Sequence, residues 1–99
     1  MKKYIGIDVA KTTLAVALPT QAGGWTITTF NNTPEGIYSL VKQLPAEAHC
    51  ILEATGSYSV LVTYLLCQAK VDVSVINPKQ SHNFAKMQPL RRPGLRHQD

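Results

Sequence analysis

Two carboxylates, Asp8 and Glu53, stand out because each lies in or at the end of an otherwise apolar run. Asp8 interrupts YIGIDVAK, and Glu53 closes HCILE. A buried charge is costly unless another group compensates it. Two neighbouring carboxylates repel each other unless a proton or a divalent cation lies between them. If the two converge, they indicate a Mg²⁺ or Mn²⁺ site of the kind used in phosphodiester hydrolysis.

A mixed sheet would bring these carboxylates together. Alternating or β-branched runs predict strands, and apolar residues spaced by three and four, with Thr33 as N-cap and Pro34 at the first turn, predict the first helix. The second helix follows Gly56, with Ser57 as its cap, and the third begins at Pro78. The predicted strands are residues 4–9, 12–18, 25–30, 49–54 and 71–76.

The predicted fold is α/β, a mixed five-stranded sheet in the order β-β-β-α-β-α-β-α. Its first three strands are antiparallel, and its first and fourth are adjacent and parallel. Asp8 and Glu53 then emerge at the same edge of the sheet, where α/β proteins commonly bind ligands. Asp72 falls at the opposite end. A structural alternative stays open, in which Asp8 caps a hairpin and Glu53 bonds a helix terminus.

The positive charge is concentrated at the C-terminal end. The chain has 99 residues, enough for one domain, and a formal net charge of +4. Residues 1–78 carry no net charge. The whole positive excess therefore lies in residues 79–99, where Asp99 is the single acid and the cations are Lys79, Lys86, Arg91, Arg92 and Arg96. We interpret residues 1–87 as the domain and residues 88–99 as a basic tail. Such a tail indicates a polyanionic partner or a solvated terminus.

Neither a membrane segment nor a disulfide is expected. No apolar run is long enough to span a bilayer, and the basic start meets Asp8 too early for a signal peptide. Cys50 and Cys67 form no metal-ligand motif and are interpreted as buried thiols in a reducing cytoplasm.

Three segments, YIGIDVAKTTLAVAL, LEATGSY and VSVINPKQSHNFAK, together resemble the N-terminal domain of bacterial insertion-sequence transposases with a DEDD tetrad. That family is the insertion-sequence one-ten family, which is related to the Piv-type invertases, and the resemblance covers about residues 3–92. It implies a ribonuclease H-like, RuvC-type fold, with Asp8 and Glu53 as the first two catalytic and metal-binding residues. It further implies DNA as substrate, homo-oligomers and, in many members, a guide RNA. We expect Lys11 and the five C-terminal cations to contact nucleic acid.

The sequence departs from the family pattern after Arg92. The other two acidic residues of the tetrad would fall on Leu95 and Gln98, and Asp99 lies one position late. The resemblance also implies a second domain that these 99 residues do not include, and we interpret the change after Arg92 as a truncated or frameshifted reading frame. We therefore expect weak Mg²⁺ or Mn²⁺ binding and no cleavage by this chain alone.

Two other functions stay open from the sequence. The chain could be a non-catalytic remnant that binds nucleic acid or transposase subunits. IGIDVAKTT also resembles the first phosphate loop of actin-like and sugar-kinase ATPases, although Ala10 and Lys11 take the place of its glycine.

Overall fold

The computed structural model describes residues 2–77 and the backbone of residues 88–90. Six strands form one sheet: β1 (Lys3–Val9), β2 (Thr13–Pro19), β3 (Trp25–Asn31), β4 (Ala48–Glu53), β5 (Asp72–Ile76) and β6 (Gln88–Leu90). The described residues also form two α-helices, α1 (Pro34–Gln43) and α2 (Val60–Gln68), and a short 3₁₀ helix (Gly56–Ser59) that precedes α2.

The sheet is mixed, with strand order β3-β2-β1-β4-β5-β6. β1 pairs antiparallel with β2 and parallel with β4, and β4 pairs parallel with β5. The α/β class and the mixed sheet are confirmed, but a sixth strand is present. β6 lies antiparallel to β5 within the segment interpreted as a tail. Three residues with a central proline are too short for an alternating pattern, and proline is tolerated at a sheet edge. The third predicted helix lies outside the described residues.

The first helix forms as its sequence predicts. The Thr33 hydroxyl accepts a hydrogen bond from the Gly36 amide at 3.0 Å, and Pro34 occupies the first turn. Ile37 and Leu40 are completely buried. The helix begins against the end of β3, since a Cβ added to Gly36 would lie 2.1 Å from the Asn31 carbonyl oxygen.

The second helix begins later than predicted. Residues 56–59 form a 3₁₀ turn, and α2 starts at Val60. Ser57 is therefore not its N-cap. The hydroxyl of Ser59 instead bonds within the turn, donating to the Gly56 carbonyl and accepting from the Thr55 amide, both at 3.3 Å.

Both α-helices pack on one face of the sheet and form the core with it. α1 contacts β3 and α2, and α2 contacts β5. The buried cluster includes Ile5, Leu14, Leu52 and Val62. Cys50 and Cys67 are buried free thiols, as predicted. None of the described helices is long and apolar enough to cross a membrane.

No described helix covers the opposite face of the sheet. Its side chains alternate with the core residues along each strand. Ile27 on this face is 66% exposed, and Tyr4 is 55% exposed. We call this face, which none of the described helices covers, the open face, although Ser74 on it is only 2% exposed. Its positions on the central strands are Tyr4, Gly6, Asp8, Ala15, Ala17, His49, Ile51, Glu53, Asp72, Ser74 and Ile76.

Candidate active site

Strand register places Asp8 and Glu53 side by side. In the parallel ladder between β1 and β4, Gly6 pairs with Ile51 and Ile7 with Leu52. One step further along both strands lie Asp8 and Glu53. Adjacent strands are about 4.8 Å apart, and both carboxylates are exposed on the open face. The predicted convergence at one edge of the sheet is therefore what the strand pairing produces.

The backbone of each acidic residue pairs with a different neighbouring strand. Asp8 pairs with Ala15 of β2, whereas Glu53 pairs with Ile76 of β5. Asp72, as predicted, lies at the other end of the sheet, opposite His49 in register. The two acids thus extend from backbone that is paired on its outer side, which fixes where their side chains begin.

An open cleft of about 560 Å³ lies beside the two acids. Gly6, Ala15 and Ala17 leave space at its floor, and a Cβ added to Gly6 would meet no atom within 4 Å. Isoleucines from three strands form much of its apolar lining: Ile27, Ile51 and Ile76. The cleft can therefore admit a polar group to the acids while apolar side chains surround it.

Neither Asp8 nor Glu53 forms a hydrogen bond or ion pair with another described residue. Main-chain bonding closes the β1–β2 hairpin, in which the Ala10 amide donates to the Thr13 carbonyl at 2.9 Å. The turn before α2 is likewise bonded without Glu53. Within residues 2–77, the structural alternative for these two carboxylates finds no supporting contact.

The donor set suits a hard divalent cation. Mg²⁺ and Mn²⁺ prefer oxygen ligands, and the two acids supply carboxylate oxygens only. Among the described residues, no group of three or more potential metal ligands occurs. Two protein ligand groups fit a Mg²⁺ ion that keeps most of its water.

Two buried polar atoms lie in the loops around the acids. The Thr55 hydroxyl and the Asn32 side-chain oxygen are inaccessible to solvent and have no hydrogen-bond partner among the described residues. Thr55 also lines the cleft. The sequence does not single out either residue, because asparagine and threonine are common in the loops just before helices.

The other predicted site residues are divided. Lys11 is exposed in the β1–β2 turn, three residues after Asp8 and at the same edge of the sheet. The remaining predicted contacts with nucleic acid lie outside the described residues, as do the positions expected for the rest of the tetrad: Lys79, Lys86, Arg91, Arg92, Arg96, Leu95, Gln98 and Asp99.

Comparison with known proteins matches residues 5–92 to the DEDD transposases of the IS110 group. The pilin gene-inverting protein of Moraxella lacunata is 33% identical over 96 residues, which is 91% of this chain and 30% of that protein. The pilin gene-inverting protein of Moraxella bovis is 32% identical over 96 residues, again 91% of this chain and 30% of that protein. The chain thus spans about a third of the length of these relatives.

The family match covers most of the chain, and it agrees with the family that the three sequence motifs resemble. The chain belongs to the IS110 family of DEDD transposases. Because the chain belongs to this family, the alternative of an actin-like or sugar-kinase ATPase is rejected.

Proposed function

We propose that this IS110-family chain is a ribonuclease H-like, RuvC-type domain that supplies Asp8 and Glu53 to a metal-assisted DNA strand-cleavage site. The strand register carries the proposal: one step beyond the Ile7–Leu52 pair, two carboxylates extend from adjacent parallel strands on the open face. Both carboxylates are exposed and have no partner among the described residues, so they are available to a ligand in the cleft.

Asp8 and Glu53 would hold a Mg²⁺ or Mn²⁺ ion between them. Such an ion stabilises charge on the attacking and leaving oxygens of a phosphodiester. The chain's own contribution is to fix two ligand groups on paired strands and to keep the cleft beside them open. Rigid strands position ligands more precisely than loops do.

Cleavage requires more than these two groups. Sites of this class generally use two cations bridged by several carboxylates. Because only two acids converge among the described residues, we predict that the isolated chain does not cut DNA. A second candidate function, binding of DNA or transposase subunits without chemistry, rests on this same shortage of ligands.

DNA is the proposed partner, and a guide RNA and other copies of the chain are further proposed partners. The cations Lys11, Lys79, Lys86, Arg91, Arg92 and Arg96 would supply phosphate contacts with strong salt dependence. Replacing Arg91, Arg92 and Arg96 with glutamine should weaken duplex binding and flatten its salt dependence. Truncation after Met87 would be a poorer test, because it also removes β6. Unchanged affinity at two salt concentrations would refute the assignment of these arginines.

A Mn²⁺ titration followed by NMR tests the proposed metal site. Paramagnetic broadening should begin at the amides of residues 6–10 and 52–55. Asp8→Asn and Glu53→Gln should each abolish this selective broadening. Glu35→Gln is a matched control, because Glu35 is an exposed carboxylate in the first turn of α1. Broadening centred elsewhere, or unchanged by both site variants, would overturn the proposal.

A further inference from the structure

We infer that Asn32 is a positioning residue that sets the relation between Asp8 and Glu53 by joining the loops that follow them. The inference rests on the proposed function, because it deepens the role of the same acidic pair. Asn32 lies between β3 and α1.

One side-chain amide connects two loops that are distant in sequence. The Nδ2 group of Asn32 donates to the Ala10 carbonyl and to the Tyr58 carbonyl, each at 3.0 Å. Ala10 follows Asp8 by two residues, and Tyr58 follows Glu53 by five. The main-chain amide of Asn32 also donates to the Thr12 carbonyl at 2.9 Å, so the β1–β2 turn is held at two points.

This connection lies where the strand ladder ends. The last pair between β1 and β4 is Ile7 with Leu52, one residue before the acids. Beyond that pair, among the described strands, Asp8 is paired only with β2 and Glu53 is paired only with β5. Asn32 bonds to the loops on both sides of this gap, so it restrains the separation of the two carboxylates.

The chemistry of the position calls for an amide. Asparagine supplies two N–H donors from one nitrogen, which matches the two carbonyl acceptors. The side-chain oxygen of Asn32 is buried and has no partner within the described residues, which costs free energy. An aspartate side chain at this position would have nearly the same shape but would turn an acceptor toward both carbonyls. Asn32→Asp therefore breaks the connection with minimal change in volume.

Metal affinity separates positioning from simple electrostatics. An added negative charge near a cation site should, by charge alone, strengthen Mn²⁺ binding. We expect the opposite for Asn32→Asp, an affinity at least about tenfold weaker than wild type. Asn31→Asp is the matched control, because Asn31 is the exposed neighbour, and its affinity should be equal or higher. Equal affinities for wild type and Asn32→Asp, measured where both are folded, would overturn the inference.

Amide hydrogen exchange tests the connection without metal. Asn32→Asp should accelerate exchange at Ala10 and Tyr58 at least about tenfold relative to Ile5, whereas Asn31→Asp should not. If wild type binds no Mn²⁺, the proposed function fails, and exchange alone then decides whether Asn32 holds the loops. Unchanged exchange would refute the inference whatever the metal result. If Asn32→Asp does not fold, Asn32→Ala against Asn31→Ala gives the same comparison.

Discussion

Both ends of the open face hold polar side chains, but those at one end are partnered and the two acids at the other end are not. At the amino end of the parallel strands, Asp72 forms an ion pair with Lys2. His49 lies beside it in register, and its Nε2 atom is 2.7 Å from the Ser74 hydroxyl. At the carboxyl end, Asp8 and Glu53 have no partner among the described residues.

This difference separates structural polar groups from groups available to a ligand. Partnered groups lower the free energy of the folded chain when they are intact and raise it when one member is lost. Unpartnered like charges stabilise nothing in the absence of a cation. Substitutions at the two ends should therefore change stability in opposite directions.

The largest effect should come from the packing that builds the carboxyl end. Gly36→Ala places a Cβ against the Asn31 backbone, 2.1 Å from its carbonyl oxygen. Because backbone must move to accommodate it, we expect a loss of about 3 kcal/mol in the free energy of unfolding, measured by urea denaturation.

Gly6→Ala is the control, since its Cβ meets nothing within 4 Å. Replacing a glycine within a strand by alanine should raise the free energy of unfolding by roughly 0.5 kcal/mol. Equal losses for both alanines would mean that α1 is not fixed by close approach at Gly36.

Loss of a partner at the amino end should come next. Ser74→Ala leaves the part-buried His49 ring without its hydrogen bond, and we expect a loss of about 1–2 kcal/mol in unfolding free energy. A double-mutant cycle with His49→Ala should give a coupling of about 1 kcal/mol. If the losses of unfolding free energy for Ser74→Ala and His49→Ala simply added, the two side chains would not stabilise each other. The amino end would then not differ from the unpartnered acids at the carboxyl end.

The core beneath the sheet responds to alkaline pH. Burial raises the pKa of the Cys50 thiol from 9.0 to about 12. The folded chain keeps this proton between those values while the unfolded chain loses it, so stability falls as pH rises through that window. We expect a contribution of about 1 kcal/mol between pH 9 and pH 10. Stability curves of wild type and Cys50→Ala should diverge in slope there; parallel curves would contradict this.

Much of this arrangement follows from local sequence. Thr33 and Pro34 start α1 as expected, because capping chemistry acts within one turn. Strand order alone predicts Asp8 and Glu53 at one edge, since side chains at the carboxyl ends of adjacent parallel strands share an edge.

Longer-range bonding could not be predicted in the same way. Asn32 bonds to residues 22 and 26 positions away, and no periodicity encodes such a partner. The sequence predicts the start of α2 too early because Ser57 resembles a cap, whereas bonding through Ser59 forms a 3₁₀ turn. β6 cannot be predicted from sequence because three residues give no alternating pattern.

Thermal and urea unfolding of wild type and Asp8→Asn, with EDTA and with 10 mM Mg²⁺, tests the central claim most directly. In EDTA the variant should be as stable as wild type or more stable by up to about 1 kcal/mol, because one of two neighbouring like charges is removed. Mg²⁺ should stabilise wild type by about 0.4 kcal/mol if its Kd is near that concentration, and the variant by less. A clear loss of stability for Asp8→Asn in EDTA would show that Asp8 is a structural hydrogen-bonding residue and would contradict the metal site.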